Sequence, residues 1–162
     1  VKNFFFLTKE VLITAFSTSS SSATMPLTLK VTQEKLKVDK EIARFVIPLG
    51  TSLNKNGTSL FQAASVVFIA HLYGYPLGLS EYIIILILSV VGSFATASVP
   101  SNGIIFIAMI LVTLDLPTEG VLLILPVNHI LDMFRTILNV MGDMVCALYI
   151  QKQMKQDKPV ET

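Results

Sequence analysis

The 162 residues are 52% hydrophobic and only 14% charged, whereas an ordinary soluble domain carries about a quarter charged residues. That balance places the chain in a lipid bilayer. A formal net charge of +1 offers no basic face to a nucleic acid, so no nucleic-acid partner is expected. The lone Cys146 excludes an internal disulfide.

The chain opens Val1-Lys2-Asn3 without Met or signal peptide, and its N-terminus is read as a break inside a longer protein. Residues Val11 to Leu29 carry no Asp, Glu, Lys or Arg. The run holds the polar tip Ser17-Thr18-Ser19-Ser20-Ser21-Ser22-Ala23-Thr24-Met25-Pro26 and returns to Lys30, Lys35, Lys37, Lys40 and Arg44. Basic loops stay cytoplasmic, so residues 1–30 are expected to form a helical hairpin entering from the cytoplasmic side. An apolar run from Phe45 to Ala70 follows, interrupted by Asn54-Lys55-Asn56-Gly57-Thr58 and bent by Pro48. Gly and two Asn in mid-helix favour unwinding, which predicts a broken transmembrane helix over 41–72. Unwound carbonyls and Asn oxygens suit a small hard cation.

Tyr82 to Leu114 carries no charge, and the connections His71 to Glu81 and Asp115 to Gly120 contain neither Lys nor Arg. Both connections are therefore expected outside. A single crossing would leave the Lys152, Lys155 and Lys158 tail outside as well. Two crossings would give each half about a dozen apolar residues, short of the roughly 20 that a span needs. A re-entrant hairpin over 80–114, with its tip at Ala95-Thr96-Ala97-Ser98-Val99-Pro100-Ser101-Asn102-Gly103, satisfies both constraints. Such a tip must be buried in protein or line an aqueous cavity. A final transmembrane helix over 118–151 and a cytoplasmic tail over 152–162 complete the chain. Ser21-Ser22-Ala23-Thr24-Met25-Pro26 and Ala95-Thr96-Ala97-Ser98-Val99-Pro100 match in character, and a helix with a polar motif follows each. The predicted class is an all-α membrane protein built from two re-entrant helical hairpins and two transmembrane helices, one unwound, in an inverted repeat. Such repeats put a binding site at mid-membrane.

In the final helix, Asn128, Asp132, Arg135, Thr136, Asn139 and Asp143 fall within about a third of the circumference at 100° per residue. Each central Asp or Arg costs about 2.5 to 3.5 kcal/mol to insert, so three unpaired ones would cost on the order of 8 to 10 kcal/mol. They persist where they face a cavity, a ligand or one another. One reading is an internal Asp132–Arg135 ion pair that only holds helices together. A pair alone would not require Thr136, Asn139 and Asp143 on the same face, so the stripe reads as a mixed site for a cation, a carboxylate and neutral oxygens. No Ser-His-Asp arrangement, phosphate loop or paired-carboxylate pattern is present, and enzyme activity is not expected.

These motifs resemble the dicarboxylate/amino acid:cation symporters, a family that includes bacterial and archaeal aspartate and glutamate transporters and the excitatory amino acid transporters. The resemblance runs from Ser19-Ser20-Ser21-Ser22 through Pro48-Leu49-Gly50 and Asn54 to Thr58, then Asp132-Met133-Phe134-Arg135-Thr136 and Asn139-Val140-Met141-Gly142-Asp143. It implies a homotrimer in the plasma membrane, or the inner membrane of a bacterium, with scaffold helices preceding this segment. The transport core would move as an elevator, the hairpins acting as gates. By position, the resemblance gives the ammonium of an acidic amino acid to Asp132, its side-chain carboxylate to Arg135, and supporting hydrogen bonds to Thr58, Thr136 and Asn139. The α-carboxylate falls to Ser20, Ser21 and backbone N–H groups at the tip that runs from Ala97, Ser98 and Val99 past Pro100, which has no N–H itself, to Gly103. Sodium falls to Gly50, Asn54, Asn139 and Asp143 at one site, and to Ser52, Lys55, Ser93, Phe94 and Thr96 at another.

The sequence departs from the family pattern at Asn128, which stands where a carboxylate is common, and in the motif that begins at Asn54. The usual Asn-Met-Asp-Gly-Thr reads Asn54-Lys55-Asn56-Gly57-Thr58, exchanging Met for Lys and the cation-binding Asp for Asn56. The expected coupling is therefore to sodium, to fewer sodium ions with the Lys55 ammonium replacing one, or to a proton. The alternatives to sodium-coupled transport are a sodium-independent or proton-coupled carrier of the same family and a non-transporting fragment that associates with full-length subunits.

Overall fold

The computed structural model describes residues 2–95 and 103–156. Within them the ordered elements are helical: α1 (Lys2–Thr18), α2 (Ser21–Glu34), α3 (Lys40–Leu53), α4 (Asn56–Leu72), α5 (Leu79–Ala95), α6 (Gly103–Thr113), a 3₁₀ turn (Thr118–Gly120) and α7 (Val121–Gln156). One stretch, Thr118–Gln156, is long and apolar enough to cross a bilayer by itself. Leu79–Ala95 and Gly103–Thr113 are apolar but shorter. The chain divides into two compact units, one of residues 1–54 with 136–162 and one of residues 55–135.

In the first unit α1 and α2 are joined by a two-residue turn, tighter than the Ser-rich run suggests, because serines terminate both helices. Ser19 takes the left-handed conformation at φ 48° and its N–H donates to the Ala15 carbonyl at 3.0 Å, closing α1. Ser20 is the N-cap of α2, its Oγ accepting from the Ala23 N–H at 3.2 Å; a serine cap satisfies an N–H that the helix cannot. Thr24, Thr28 and Thr32 are buried along α2, each hydroxyl donating to the carbonyl four residues back, at 2.8, 3.1 and 2.7 Å. This lets polar side chains line an apolar interface without orphaned donors. α2 packs on both α1 and α3, and the core of the unit is built by Val11, Ala15, Val31, Ile47, Val140 and Met144 with their neighbours. Lys35 and Glu10 form an ion pair at 2.7 Å.

The connection from α2 to α3 is fastened by α7. The Asp39 N–H donates to Gln151 Oε1 at 2.6 Å, and Gln151 Nε2 donates to the Lys37 carbonyl at 3.0 Å. Lys37 itself sits at φ 58°, an unfavourable region for a residue with a side chain. α3 ends at Leu53 and α4 begins at Asn56, so helical order lapses at Asn54-Lys55. The Asn54 N–H closes α3 on the Gly50 carbonyl at 2.7 Å.

In the second unit α4, α5 and α6 pack on one another around Val66, Ile69, Ile85, Ile107, Ile110 and Leu111. Gly92 of α5 lies close against both neighbours. A Cβ there would lie 2.7 Å from Phe106 Cδ1 and 3.3 Å from Gln62 Oε1. Gly57, in the first turn of α4, lies against the backbone of α7, where a Cβ would stand 2.5 Å from the Arg135 carbonyl oxygen. That neighbour is backbone and cannot turn aside. Gly57→Ala should therefore destabilise the detergent-solubilised protein by about 1–3 kcal/mol, read as a lower thermal midpoint.

Candidate functional site

Two constellations of polar side chains are buried in otherwise apolar surroundings, one in each unit. The first is built from the C-terminal turn of α3 and the second half of α7. Asn54 Nδ2 donates to Asp143 Oδ1 at 2.8 Å and to the Asn139 carbonyl at 3.2 Å. Asp143 is 1% exposed. Gly50 lies against it so closely that a Cβ would be 2.5 Å from Asp143 Oδ1, so any larger residue would force the carboxylate to shift. Gly50, Asn54, Asn139 and Asp143, assigned to one sodium site by the family resemblance, are thus gathered in one place. A carboxylate oxygen and a backbone carbonyl converge on the position now held by the Asn54 amide nitrogen. Turning that amide over would add its own oxygen, giving a donor set of hard oxygens with one negative charge. Such a set fits a small monovalent or divalent cation. Among the described residues no cluster of three or more His, Cys, Asp or Glu offers an alternative metal centre.

The second constellation surrounds Arg135. The side chain is 6% exposed on a helix whose outward positions are Phe134, Leu138 and Ile130. Its Nη2 donates to Asp132 Oδ1 at 2.7 Å, one helical turn earlier, and lies 3.4 Å from Asn128 Oδ1 two turns earlier. Its guanidinium carbon lies 4.3 Å from the centre of the Phe61 ring on α4. Gly103, the first residue of α6, abuts the same group, a Cβ there lying 2.8 Å from Nη1. The Nε–H is buried and has no hydrogen-bond partner among the described residues. The internal ion pair weighed in the sequence is present, and it leaves part of the fork unused. A guanidinium presents five donors in a fixed plane and matches a carboxylate with two parallel bonds.

The remaining expected site residues lie as follows. Thr58 is buried on α4 in the Arg135 unit, and Ser93 is buried on α5 while Phe94 beside it is exposed. Lys55 is the half-buried N-cap of α4 and Asn56 an exposed first-turn residue. In the other unit Ser20 is the cap of α2, Ser21 and Thr136 are buried, and Ser52 is exposed, its Oγ donating to the Pro48 carbonyl at 3.1 Å. Thr96, Ala97, Ser98, Val99 and Pro100 lie outside the described residues.

Three further buried side chains of the Arg135 unit were not singled out in the sequence. Phe61 reads there as one more apolar residue of an apolar run. Among the described residues, Gln62 is fully buried with no partner for either amide atom, and Ser89 on α5 is 1% exposed with no partner for its hydroxyl. The available signal was spacing: Thr58, Phe61, Gln62 and Ser65 recur at three- and four-residue intervals, one face of a helix.

The sequence model described as the sodium:dicarboxylate symporter family matches residues 1–153. Among curated proteins, the chain is 40% identical over 143 residues to the "Putative sodium-dependent excitatory amino acid transporter glt-4" of Caenorhabditis elegans, covering 88% of this chain and 29% of that protein. It is 40% identical to "Excitatory amino acid transporter 3" of Mus musculus, covering 91% of this chain and 28% of the relative. To "Excitatory amino acid transporter 4" of Mus musculus it is 41% identical, with 88% and 25% covered. The chain therefore spans between a quarter and a third of the length of these relatives. A match over nearly every residue, carrying the gathered Gly50, Asn54, Asn139 and Asp143 and the buried Arg135, shows that this chain belongs to the sodium:dicarboxylate symporter family.

Proposed function

We propose that this chain supplies the substrate- and cation-binding part of a secondary active symporter for an acidic amino acid, glutamate or aspartate. The observation that carries the reading is Arg135: a buried guanidinium with a planar aromatic support and a donor left over. Asp132 beside it supplies the counter-charge for an amine. The relatives' names, sodium-dependent and excitatory amino acid transporter, support the same substrate class and cation. Within this proposal Thr58, Thr136 and Asn139 support the substrate by hydrogen bonds. Ser20, Ser21, the backbone of Ala97, Ser98, Val99 and Pro100, and Gly103 hold the α-carboxylate. The oxygens of Gly50, Asn54, Asn139 and Asp143 would hold sodium, and Ser52, Lys55, Asn56, Ser93, Phe94 and Thr96 belong to the second cation region. Sodium supplies the driving gradient and neutralises Asp143 when bound.

The proposed architecture is two re-entrant hairpins (1–30 and 80–114), a broken transmembrane helix (41–72) and a final transmembrane helix (118–151) with a cytoplasmic tail. We place it in the plasma membrane, or the inner membrane of a bacterium, as the moving core of an elevator within a homotrimer. The deciding experiment is uptake of radiolabelled glutamate and aspartate by the complete gene product in liposomes, under an inward sodium gradient, a proton gradient, or neither. Uptake driven by a gradient supports symport. Its absence under both gradients favours a polypeptide that only associates with full-length subunits. The topology has its own check. In a Cys146→Ser background, an impermeant thiol reagent should label both Ser80→Cys and Thr118→Cys from the outer face; labelling of either from the cytoplasm alone would refute the outer hairpin.

The Lys55 and Asn56 departure favours a second reading of the driving ion, in which Lys55 takes the place of one sodium or couples transport to a proton. Its test is given in the Discussion.

A further inference from the structure

We propose that Phe61 is a positioning residue for substrate recognition, holding the Arg135 guanidinium in one plane by stacking so that its spare donor meets the ligand carboxylate. The proposal rests on the assignment of Arg135 to an acidic side chain and adds to it a residue that touches no ligand itself.

The geometry has three parts. Phe61 and Arg135 are both at least nine-tenths buried, and the guanidinium carbon stands 4.3 Å from the ring centre, well inside the range in which a cation is drawn to an aromatic face. Loss of water strengthens that attraction, because the ring then has no competing solvent for the charge. Asp132 and Asn128 both engage Nη2, at 2.7 and 3.4 Å. Those two contacts fix one corner of the fork and leave its plane free to pivot about that corner. In the proposal, the ring face against the guanidinium carbon removes the pivot. Gly103 borders the opposite corner: a Cβ there would lie 2.8 Å from Nη1, so a larger residue would push the guanidinium away from this position. What remains is the buried Nε–H, without a partner among the described residues, directed by a side chain fixed at ring, acid and glycine.

An unpartnered buried donor costs free energy, and an acceptor oxygen arriving there recovers it. The donor can be recovered by a carboxylate on an acidic side chain and not by an apolar one. Substrate discrimination thus depends on how well the plane is held. Leucine at position 61 would fill similar space without a π face, whereas tyrosine or tryptophan would keep one.

The test uses the complete gene product with phenylalanine at position 61 replaced by mono-, di- and trifluorinated phenylalanine, which weaken the ring's negative face with little change in size. KM and maximal rate for aspartate and glutamate are measured, with the folded amount determined by size-exclusion chromatography. Stacking predicts that log KM rises stepwise with fluorination, that Phe61→Leu raises KM roughly tenfold, and that Phe61→Tyr restores it. In an Arg135→Cys background, Phe61→Leu should leave KM for neutral amino acids unchanged. A KM flat across the fluorinated series overturns the proposal, as does a Phe61→Leu effect of equal size without Arg135. If Arg135→Cys itself leaves acidic uptake intact, the substrate assignment falls as well. If Arg135→Cys abolishes acidic uptake while the fluorinated series is flat, only the stacking role fails.

Discussion

Arg135→Cys in the complete gene product should lower acidic amino acid uptake at least 100-fold and leave, or create, uptake of small neutral amino acids. Arg135 is the only cation on its helix face between Asn128 and Asp143. Removing one member of a buried ion pair typically costs about 3–5 kcal/mol, which corresponds to a factor of roughly 10² to 10⁴ in an equilibrium. On the proposed assignment a neutral ligand avoids that loss, since its ammonium would still meet Asp132 and its side chain would fill the space left by the guanidinium. Arg135→Lys is the informative companion. It keeps the charge but loses the planar fork and the stacking on Phe61, so acidic uptake should fall less than in the cysteine variant, with a raised KM. Unchanged aspartate and glutamate uptake in Arg135→Cys would refute the assignment. Competition between radiolabelled acidic and neutral substrates measures both arms in one preparation.

The second large effect is expected from Lys55→Met combined with Asn56→Asp. The double substitution changes the local charge by two units at the start of α4, and a unit charge at about 4 Å and an effective dielectric near 20 contributes roughly 4 kcal/mol. Position matters as well as charge. Lys55 is the N-cap of α4, with no capping hydrogen bond from its side chain, and the N-terminus of a helix carries partial positive charge that favours anions and opposes cations. An ammonium there is costly unless it serves a purpose, and an aspartate in the first turn is favoured. The double variant should depend on sodium more steeply than the wild type, whose uptake should saturate with a lower sodium Hill coefficient or respond to pH. Equal sodium dependence of the two proteins, with no pH response in the wild type, would rule out replacement of a sodium ion by Lys55.

Helix content and the lapse between α3 and α4 were legible because both follow from local chemistry. Runs without charge demand internally satisfied backbone, and Asn-Lys-Asn-Gly in such a run removes the reason for the helix to continue. The stripe from Asn128 to Asp143 was legible for the same reason, since insertion cost makes every buried charge conspicuous. The partition of that stripe was not legible. Helical periodicity placed Asp132 and Arg135 beside Asn139 and Asp143, but it could not show that Asn54 would take up Asp143 while Arg135 stacked on an aromatic ring of another helix. Phe61 escaped attention because an aromatic residue in an apolar run looks the same whether it packs against leucine or a guanidinium. The two-residue turn at Ser19-Ser20 was hidden inside a run of four serines, any of which can cap a helix.

The first unit is discontinuous in the chain: residues 1–54 are completed only by residues 136–162, whereas residues 55–135 are contiguous. During synthesis, the segment from α4 to the first turns of α7 therefore leaves the ribosome with its own core residues in hand. α1, α2 and α3 must wait, because Val140, Met144 and Ala147, which complete their core, emerge about a hundred residues later. The last fastening is Gln151, whose amide ties down the Lys37–Asp39 connection from more than a hundred positions away. A stop codon placed just before Gln151 would remove little of the apolar interior. It would leave the strained Lys37 connection untied, and the earliest-made helices would be the ones exposed to proteolysis.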